Sequence, residues 1–467
     1  MEKTKSVGQK LQDELLINRK NGGLILSDSE IKEVEVYCEG YKKFLDDAKT
    51  EREAVIVSID IAKKHGFTEY EYGKKYLAGD KIYYNNRGKA VIFAVMGTED
   101  IEKGVNIMAS HIDAPRIDLK ARPLYEEGEI AYFKTHYYGG IKKYQWTAVP
   151  LALHGVIVKG DGTSVTITLG EDETDPVFCI TDLLPHLAQD QMKRTLADGI
   201  RGEELNILIG SYPFRDDDAS EKVKLNIIKM LNDKYGIKES DLLSAELELV
   251  PAFKAKDIGF DRSLIGGYGQ DDRVCSYTAL TATMEATAPK RTIICVLSDK
   301  EEVGSDGNTG LNSSYMKYFI ADLAKPYNVD GRRVLSNSKC LSADVNAAFD
   351  PTFPEVTEKR NTCYINYGVV VTKYTGSRGK SGTSDASAEF TGEVQRMLDK
   401  HNVIWQTAEL GKVDQGGGGT VAQYVANLNV DVIDIGVPVL SMHAPFEVTS
   451  KIDVHATYKA FVAFAAE

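Results

Sequence analysis

The sequence predicts an α/β protein in which helices flank a central β-sheet and a β-rich unit interrupts the chain. Three observations carry this expectation. After residue 255, helical segments (SYTALTATMEAT, SDASAEFTGEVQRMLDKHN) alternate with strand-like runs (RTIICVLSD, CYINYGVVVT, VDVIDIGVPVL). From about residue 80, the short apolar runs KIYYNN, KAVIFAVMG and VNIMAS read as strands. Between residues 116 and 254 the texture is turn-punctuated and β-like, as in HGVIVKGDGTSVTITLG. That stretch continues through a polar helical segment, DASEKVKLNIIKMLNDKYG, into the strand-like AELELV, and reads as an insertion.

The first 75 residues carry apolar positions at helical spacing and predict two helices, with Ser27 or Ser29 capping SDSEIKEVEVYCEGYKKFLDDA. A chain of 467 residues with 43% hydrophobic content suits two or three domains with a sizeable core. A net charge of −13 argues against nucleic acid or an anionic membrane as partner, since both recruit basic faces. No run approaches the roughly 18 apolar residues that span a bilayer, and MEKTKSVGQKLQDELL lacks a leader-like apolar stretch, so a cytoplasmic location is expected. Six cysteines are scattered without CxxC spacing, which predicts reduced, mostly buried thiols.

The residue types that bind metals fall at strand ends. His111 and Asp113 follow VNIMAS, Glu301 and Glu302 follow TIICVLSD, Asp344 closes KCLSAD, and His443 follows VIDIGVPVLSM. In open α/β sheets the segments just past the carboxyl ends of strands gather in one crevice, so distant residues converge. The Gly-rich turn IGGYGQDDR adds Asp271 and Asp272 at the start of a helix. Two histidines and three carboxylates exceed the needs of one zinc. With one carboxylate bridging, each of two metals receives three protein ligands and keeps an open position for water. On an extended segment residues i and i+2 share a face, so Asp113 can support the His111 ring nitrogen that is turned away from metal. Side-chain direction permits one member of each acidic pair, Asp271/Asp272 and Glu301/Glu302, to face the metals; the pattern leaves both choices open.

The strings SHIDAPR (110–116), ELELVPAFKA (246–255), GQDDR (269–273), DKEEVGS (299–305), SADVNAAFDP (342–351) and SMHAPFE (441–447) resemble, in order and spacing, the M18 metallopeptidases, the aspartyl aminopeptidase family. The likeness runs over nearly the whole chain. It implies a discontinuous catalytic domain (1–115 and 255–467) with a central mixed sheet, interrupted by a dimerisation domain at 116–254, and dimers that assemble into a tetrahedral dodecamer. It implies two divalent ions per subunit, zinc or else cobalt or manganese, held by His111, Asp271, Glu302, Asp344 and His443 with Asp271 as the bridge. Glu301 matches the base that activates a metal-bridging water, and Asp113 the residue that supports the histidine. The reaction implied is removal of the N-terminal residue from peptides with a free amine.

LLPHLAQDQ (183–191) resembles a family segment whose histidine, here His186, is implied to reach a neighbouring subunit's active site. Where aspartyl aminopeptidases carry a second histidine four residues later, this chain has Asp190, so a preference for acidic N-termini is not inherited. DQGGGGTVAQY (414–424) matches a Gly/Thr loop near the substrate, which makes Gly418 and Thr420 candidates for backbone contact. It lacks the Lys-Ser/Thr that would make it a phosphate loop. A two-metal carboxypeptidase or deacylase is the rival reading, separated by whether an N-acetyl block abolishes turnover. A catalytically silent scaffold is a further alternative, disfavoured because every position of the set is filled.

Overall fold

The computed structural model describes residues 5–467; the first four residues of the expected 1–115 segment lie outside the described residues. A nine-stranded mixed sheet forms the centre, in the order Thr68–Glu69, Lys81–Asn86, Ala90–Val95, Ile293–Ser298, Asn106–His111, Lys339–Ala343, Asp431–Gly436, Val369–Thr372, Trp405–Thr407. Its four middle strands, from Ile293–Ser298 to Asp431–Gly436, run parallel, so their carboxyl ends emerge on one side. Period-two alternation divides their side chains between two cores. Met108, Cys295 and Leu341 face the helices Asp28–Asp47, Gln270–Glu285 and Lys451–Ala466, whereas Ile107, Ile294 and Cys340 face Tyr315–Ala324 and Gly331–Ser336.

The chain leaves this sheet at His111 and enters a second, seven-stranded sheet at Arg116, returning after Pro251. That sheet has its own core around Trp146, Leu153, Ile207 and Leu249 and carries the helix Lys222–Tyr235, as expected of an insertion. A third, five-stranded sheet links Lys256–Ile258, Leu264–Gly267, Glu447–Ser450, Pro438–Leu440 and Asn346–Ala347.

Several local expectations change. The N-terminal region holds three helices in place of two: Val7–Leu15, Asp28–Asp47 and Glu51–Lys64. The first buries no residue, so its apolar periodicity has no core partner among the described residues. Ser27, not Ser29, caps the second through a capping box with Glu30. Within CYINYGVVVT only Val369–Thr372 is strand. VDVIDIGVPVL is two strands in two sheets, Asp431–Gly436 and Pro438–Leu440, because the chain bends between them. Its partner bends with it: Asp344 N–H donates to the Ile435 carbonyl at 3.1 Å and Asn346 N–H to that of Val437 at 2.9 Å. His443 therefore follows a strand of the small sheet. The six cysteines are free, five of them buried, and no helix among the described residues is long and apolar enough to cross a membrane.

Candidate metal centre

The three parallel strand ends and the small sheet deliver the predicted residues to one place. His111 is the last residue of its strand and pairs with Ser298 of the neighbouring one, so the turn after Ser298 brings Glu301 and Glu302 beside it. That turn starts at Lys300, held in the left-handed region at φ 68, and forms one short 3-10 turn over Glu301–Val303. Asp344 sits at the bend between its two strands. Asp271 and Asp272 follow the small-sheet strand Leu264–Gly267 and have non-helical dihedrals before the helix proper begins. His443, in a loop of the small sheet, also lies in the left-handed region at φ 65, uncommon for a non-glycine residue and typical of functional sites.

Asp271 divides its carboxylate between the two histidines: Oδ1 lies 3.2 Å from His111 Nε2 and Oδ2 lies 3.0 Å from His443 Nε2. Around His111 Nε2 are also Asp344 at 3.7 Å and Glu301 at 3.8 Å, and Glu302 lies 3.6 Å from His443 Nε2. Each histidine has its other ring nitrogen on a carbonyl, His111 Nδ1 on Asp113 at 3.0 Å and His443 Nδ1 on Gly140 at 2.7 Å. Both rings therefore turn Nε2 to the carboxylates, the nitrogen left for a metal once its proton is displaced.

Asp113 does more than support His111. Its carboxylate lies 3.3 Å from His111 Nδ1 and also accepts the backbone N–H groups of Glu301 and Glu302 at 3.1 and 3.2 Å. It takes a further hydrogen bond from the Tyr138 hydroxyl at 2.8 Å. Burial and the adjacent Asp113 charge hold the Tyr138 phenol far above its ordinary range, so it keeps its proton and donates.

The electrostatics call for cations. Burial, with repulsion among the carboxylates that outweighs the pull of the histidines, pushes the Glu301 carboxyl up to about 8 and raises Glu302, Asp344 and Asp272 as well. Burial works against a charged His443, yet Asp271 and Glu302 lift it to about 11. His111 Nε2, Asp271 Oδ1 and Glu302 Oε1 are buried with no hydrogen-bond partner. Left so, such groups carry a large desolvation cost, and buried charges are normally paired or coordinate metal. Donor atoms of His111/Glu301/Asp344, His111/Asp271/Glu302 and Asp271/Asp272/Asp344 lie within 4.8 Å of one another. The donor set, imidazole and carboxylate, suits divalent zinc, cobalt or manganese. Asp272 is fully buried and has neither oxygen in a hydrogen bond, whereas Asp271 reaches both histidines.

One participant was absent from the sequence-based set. Glu447, 1% exposed, accepts the N–H of His443 at 2.7 Å and that of Asp271 at 3.2 Å. Its only sequence signal was its place in SMHAPFE.

A cavity of about 680 Å³ opens beside His443, lined by Gly140 and Tyr144 of the insert and by Phe353, Gly416, Gly417 and Met442. The candidate substrate residues fare unevenly. Gly416 and Gly417 line this cavity, but Gly418 turns its N–H to the Thr375 carbonyl at 3.0 Å. The Thr420 hydroxyl is buried and donates to Asp434 at 2.8 Å, so its side chain is engaged within the fold. His186 is exposed on a turn of the insert and is not among the side chains gathered here; Asp190 pairs with Lys193 at 2.9 Å in solvent.

The chain matches the family model of the aminopeptidase I zinc metalloproteases (M18) over residues 44–465. A probable M18 family aminopeptidase 1 of Clostridium acetobutylicum is 51% identical over 462 residues, 97% of this chain and 99% of the relative. The crystal structure of an M18 family aminopeptidase from Thermotoga maritima shares the fold with a TM-score of 0.92 at 43% identity, covering 96% of this chain and 99% of that one. At 22% identity, the S. cerevisiae mApe1 dodecamer shares the fold with a TM-score of 0.75, over 93% of this chain and 97% of that one.

Proposed function

The chain belongs to the M18 family of zinc metallo-aminopeptidases, and from that premise we propose that it removes N-terminal residues from peptides by a two-metal mechanism with Glu301 as general base. The observation that carries this reading is the division of Asp271 between His111 and His443. It suits one ion held by His111, Asp271 and Asp344 and a second by Asp271, Glu302 and His443. Two bound divalent ions would supply Lewis-acid polarisation of the scissile carbonyl and acidify a water for attack.

The chain's own residues do the rest. Glu301 takes the proton of the attacking water and returns it to the leaving amine. Asp113 holds the backbone of Glu301 and Glu302 and the ring of His111, which fixes the base relative to the ligands. The free amine of the substrate enters as a neutral donor among the ligands, which restricts cleavage to the first peptide bond. The Gly/Thr loop offers backbone to the peptide, with Gly418 and Thr420 as its candidates and Gly416 and Gly417 beside them on the cavity wall.

The assembly is proposed by likeness. The segment 116–254 acts as a dimerisation domain within a catalytic domain of 1–115 and 255–467, and dimers build a tetrahedral dodecamer, as the mApe1 dodecamer suggests. His186 belongs to this proposal, as a residue offered to the neighbouring subunit. Zinc is the favoured ion and the cytoplasm the favoured location.

Glu301→Gln tests the base. With both ions still bound, kcat falls by at least about a hundredfold, the scale of general acid–base catalysis. Turnover near the wild-type rate overturns the assignment. Acetylating the N-terminus of a cleaved peptide separates the rival chemistry, since an aminopeptidase loses that substrate and a deacylase or carboxypeptidase keeps it.

A further inference from the structure

We infer that the run Tyr138–Gly139–Gly140, at the end of an insert strand, is a positioning element of the metal centre, so that the insert serves metal capture and turnover within its own chain. This rests on reading the cluster as a metal centre, and it assigns the insert a task separate from assembly.

Each of the three residues engages a different part of the site. The Tyr138 hydroxyl donates to Asp113, the carboxylate that also accepts the N–H groups of Glu301 and Glu302. Gly139, at φ 74, packs so closely that a Cβ there would lie 3.2 Å from Glu302 Oε2 and 3.4 Å from the Pro115 Cα. The Gly140 carbonyl accepts the His443 Nδ1–H at 2.7 Å and thereby orients the ring with Nε2 towards the carboxylates. Three consecutive positions thus touch the support of the base and two candidate ligands.

The run is itself held rigidly. Tyr138 is the cross-strand partner of Arg116, and the Arg116 guanidinium lies 3.9 Å from the centre of the Tyr138 ring. Arg116 is 6% exposed and sits among Asp118 at 2.8 Å, Glu248 at 3.3 Å and Glu51 at 3.4 Å. Glu51 opens the helix Glu51–Lys64 of the N-terminal region, and Glu248 lies on the returning insert strand. A buried guanidinium anchored by carboxylates from both sides of the junction presses the ring in place and aims its hydroxyl at Asp113. Outer partners that orient ligands in this manner typically change metal affinity or activity by about 10- to 100-fold when removed.

The test uses the full-length protein and two variants. Tyr138→Phe keeps the ring and its stacking on Arg116 but deletes the donor; Gly139→Ala places a methyl group against Glu302. Zinc affinity is read by competition with a chelating dye, with kcat, KM and oligomer size measured alongside. Tyr138→Phe is expected to lower kcat by about 10-fold or more with KM within about twofold, and to weaken zinc. Gly139→Ala is expected to weaken zinc further, at unchanged oligomer size. Tyr132→Phe, on the same strand, loses no hydrogen bond and leaves all four readings at wild type. The inference is overturned if both variants bind zinc and turn over within twofold of wild type, or if zinc is lost only in step with the oligomer. Wild-type zinc binding and Glu301→Gln inactivity are measured first, so failure of the underlying reading is seen independently.

Discussion

The backbone N–H of Asp271 donates to Oε2 of Glu447 at 3.2 Å, joining residues 176 positions apart. The other oxygen of Glu447 accepts the N–H of His443, so one buried carboxylate sets the main chain at two candidate ligands. Burial and the Asp271 charge push this carboxyl up to about 8, which shows how little solvent assists it.

Glu447→Gln is therefore expected to damage the centre without removing a ligand. An amide offers only one acceptor oxygen, and its NH₂ group faces one of the two N–H donors. Zinc affinity should fall by about 10- to 100-fold, as for other removed outer partners. Chelator competition measures it; affinity equal to wild type would show that Glu447 merely fills space.

Removing metal should cost stability. Glu301, Glu302, Asp344 and Asp272 are all raised by burial and repulsion, so without cations the cluster is costly to ionise and holds protons in their place. Chelator treatment is expected to lower Tm, and added zinc to restore it. At a free concentration of 100 times Kd, binding contributes about 2.7 kcal/mol per site. A Tm indifferent to chelator and zinc would contradict the reading.

How far the sequence led depended on where each residue gets its role. His111, Asp344 and the Glu301/Glu302 pair were legible because each closes an apolar run, and parallel strands deliver their ends to one crevice. Glu447 was not legible, because its partners come from tertiary proximity that no local pattern encodes. YYGG reads as a turn, and its contacts with Asp113, Glu302 and His443 exist only once the insert sheet docks. The hydroxyl of Thr420 looks available in a Gly-rich loop until Asp434 is placed beneath it. The break within VDVIDIGVPVL was hidden because both halves are apolar and only the partner strand shows that the sheet changes.

A second junction predicts a pH dependence of stability. His154, on an insert strand and 2% exposed, places Nδ1 2.7 Å from Glu53 and Nε2 3.1 Å from Glu171. Burial works against a charged imidazole, but the two carboxylates outweigh it and raise His154 above its ordinary 6.5. Burial likewise opposes ionised Glu171, yet His154, Lys49 and Lys254 lower it from 4.5 to about 2. The His154 contribution is full below pH 6.5 and is lost as pH rises through its raised value; that of Glu171 is present above 4.5 and is lost as pH falls towards 2. His154→Gln should therefore destabilise by roughly 2 kcal/mol near about pH 5.5, the scale of hydrogen bonds to charged groups, and by much less near about pH 9. Urea unfolding of both proteins at the two pH values decides it, and an equal loss at both would mean that folding leaves the His154 pKa unshifted.

The last prediction concerns the bend that carries Asp344. The strands Lys339–Ala343 and Asp431–Gly436 run side by side and then cross together into the small sheet as Asn346–Ala347 and Pro438–Leu440. Asp344 lies at the crossing, and its carbonyl oxygen packs against Gly436 so closely that a Cβ there would collide with it. The obstacle is backbone, which cannot swing aside as a side chain would. Gly436→Ala must push the Asp344 main chain away, and with it the carboxylate that faces His111. Overpacking of this kind typically costs about 1–3 kcal/mol, and here the displacement falls on a candidate ligand. The folded variant is expected to lose zinc affinity and turnover well beyond its loss in Tm. Valine substitution at Ala343, buried in the strand just before the bend, supplies the comparison: it adds bulk to the core and should lower Tm with a smaller effect on zinc. If Gly436→Ala binds zinc as wild type does, the close approach at the bend is not what places Asp344.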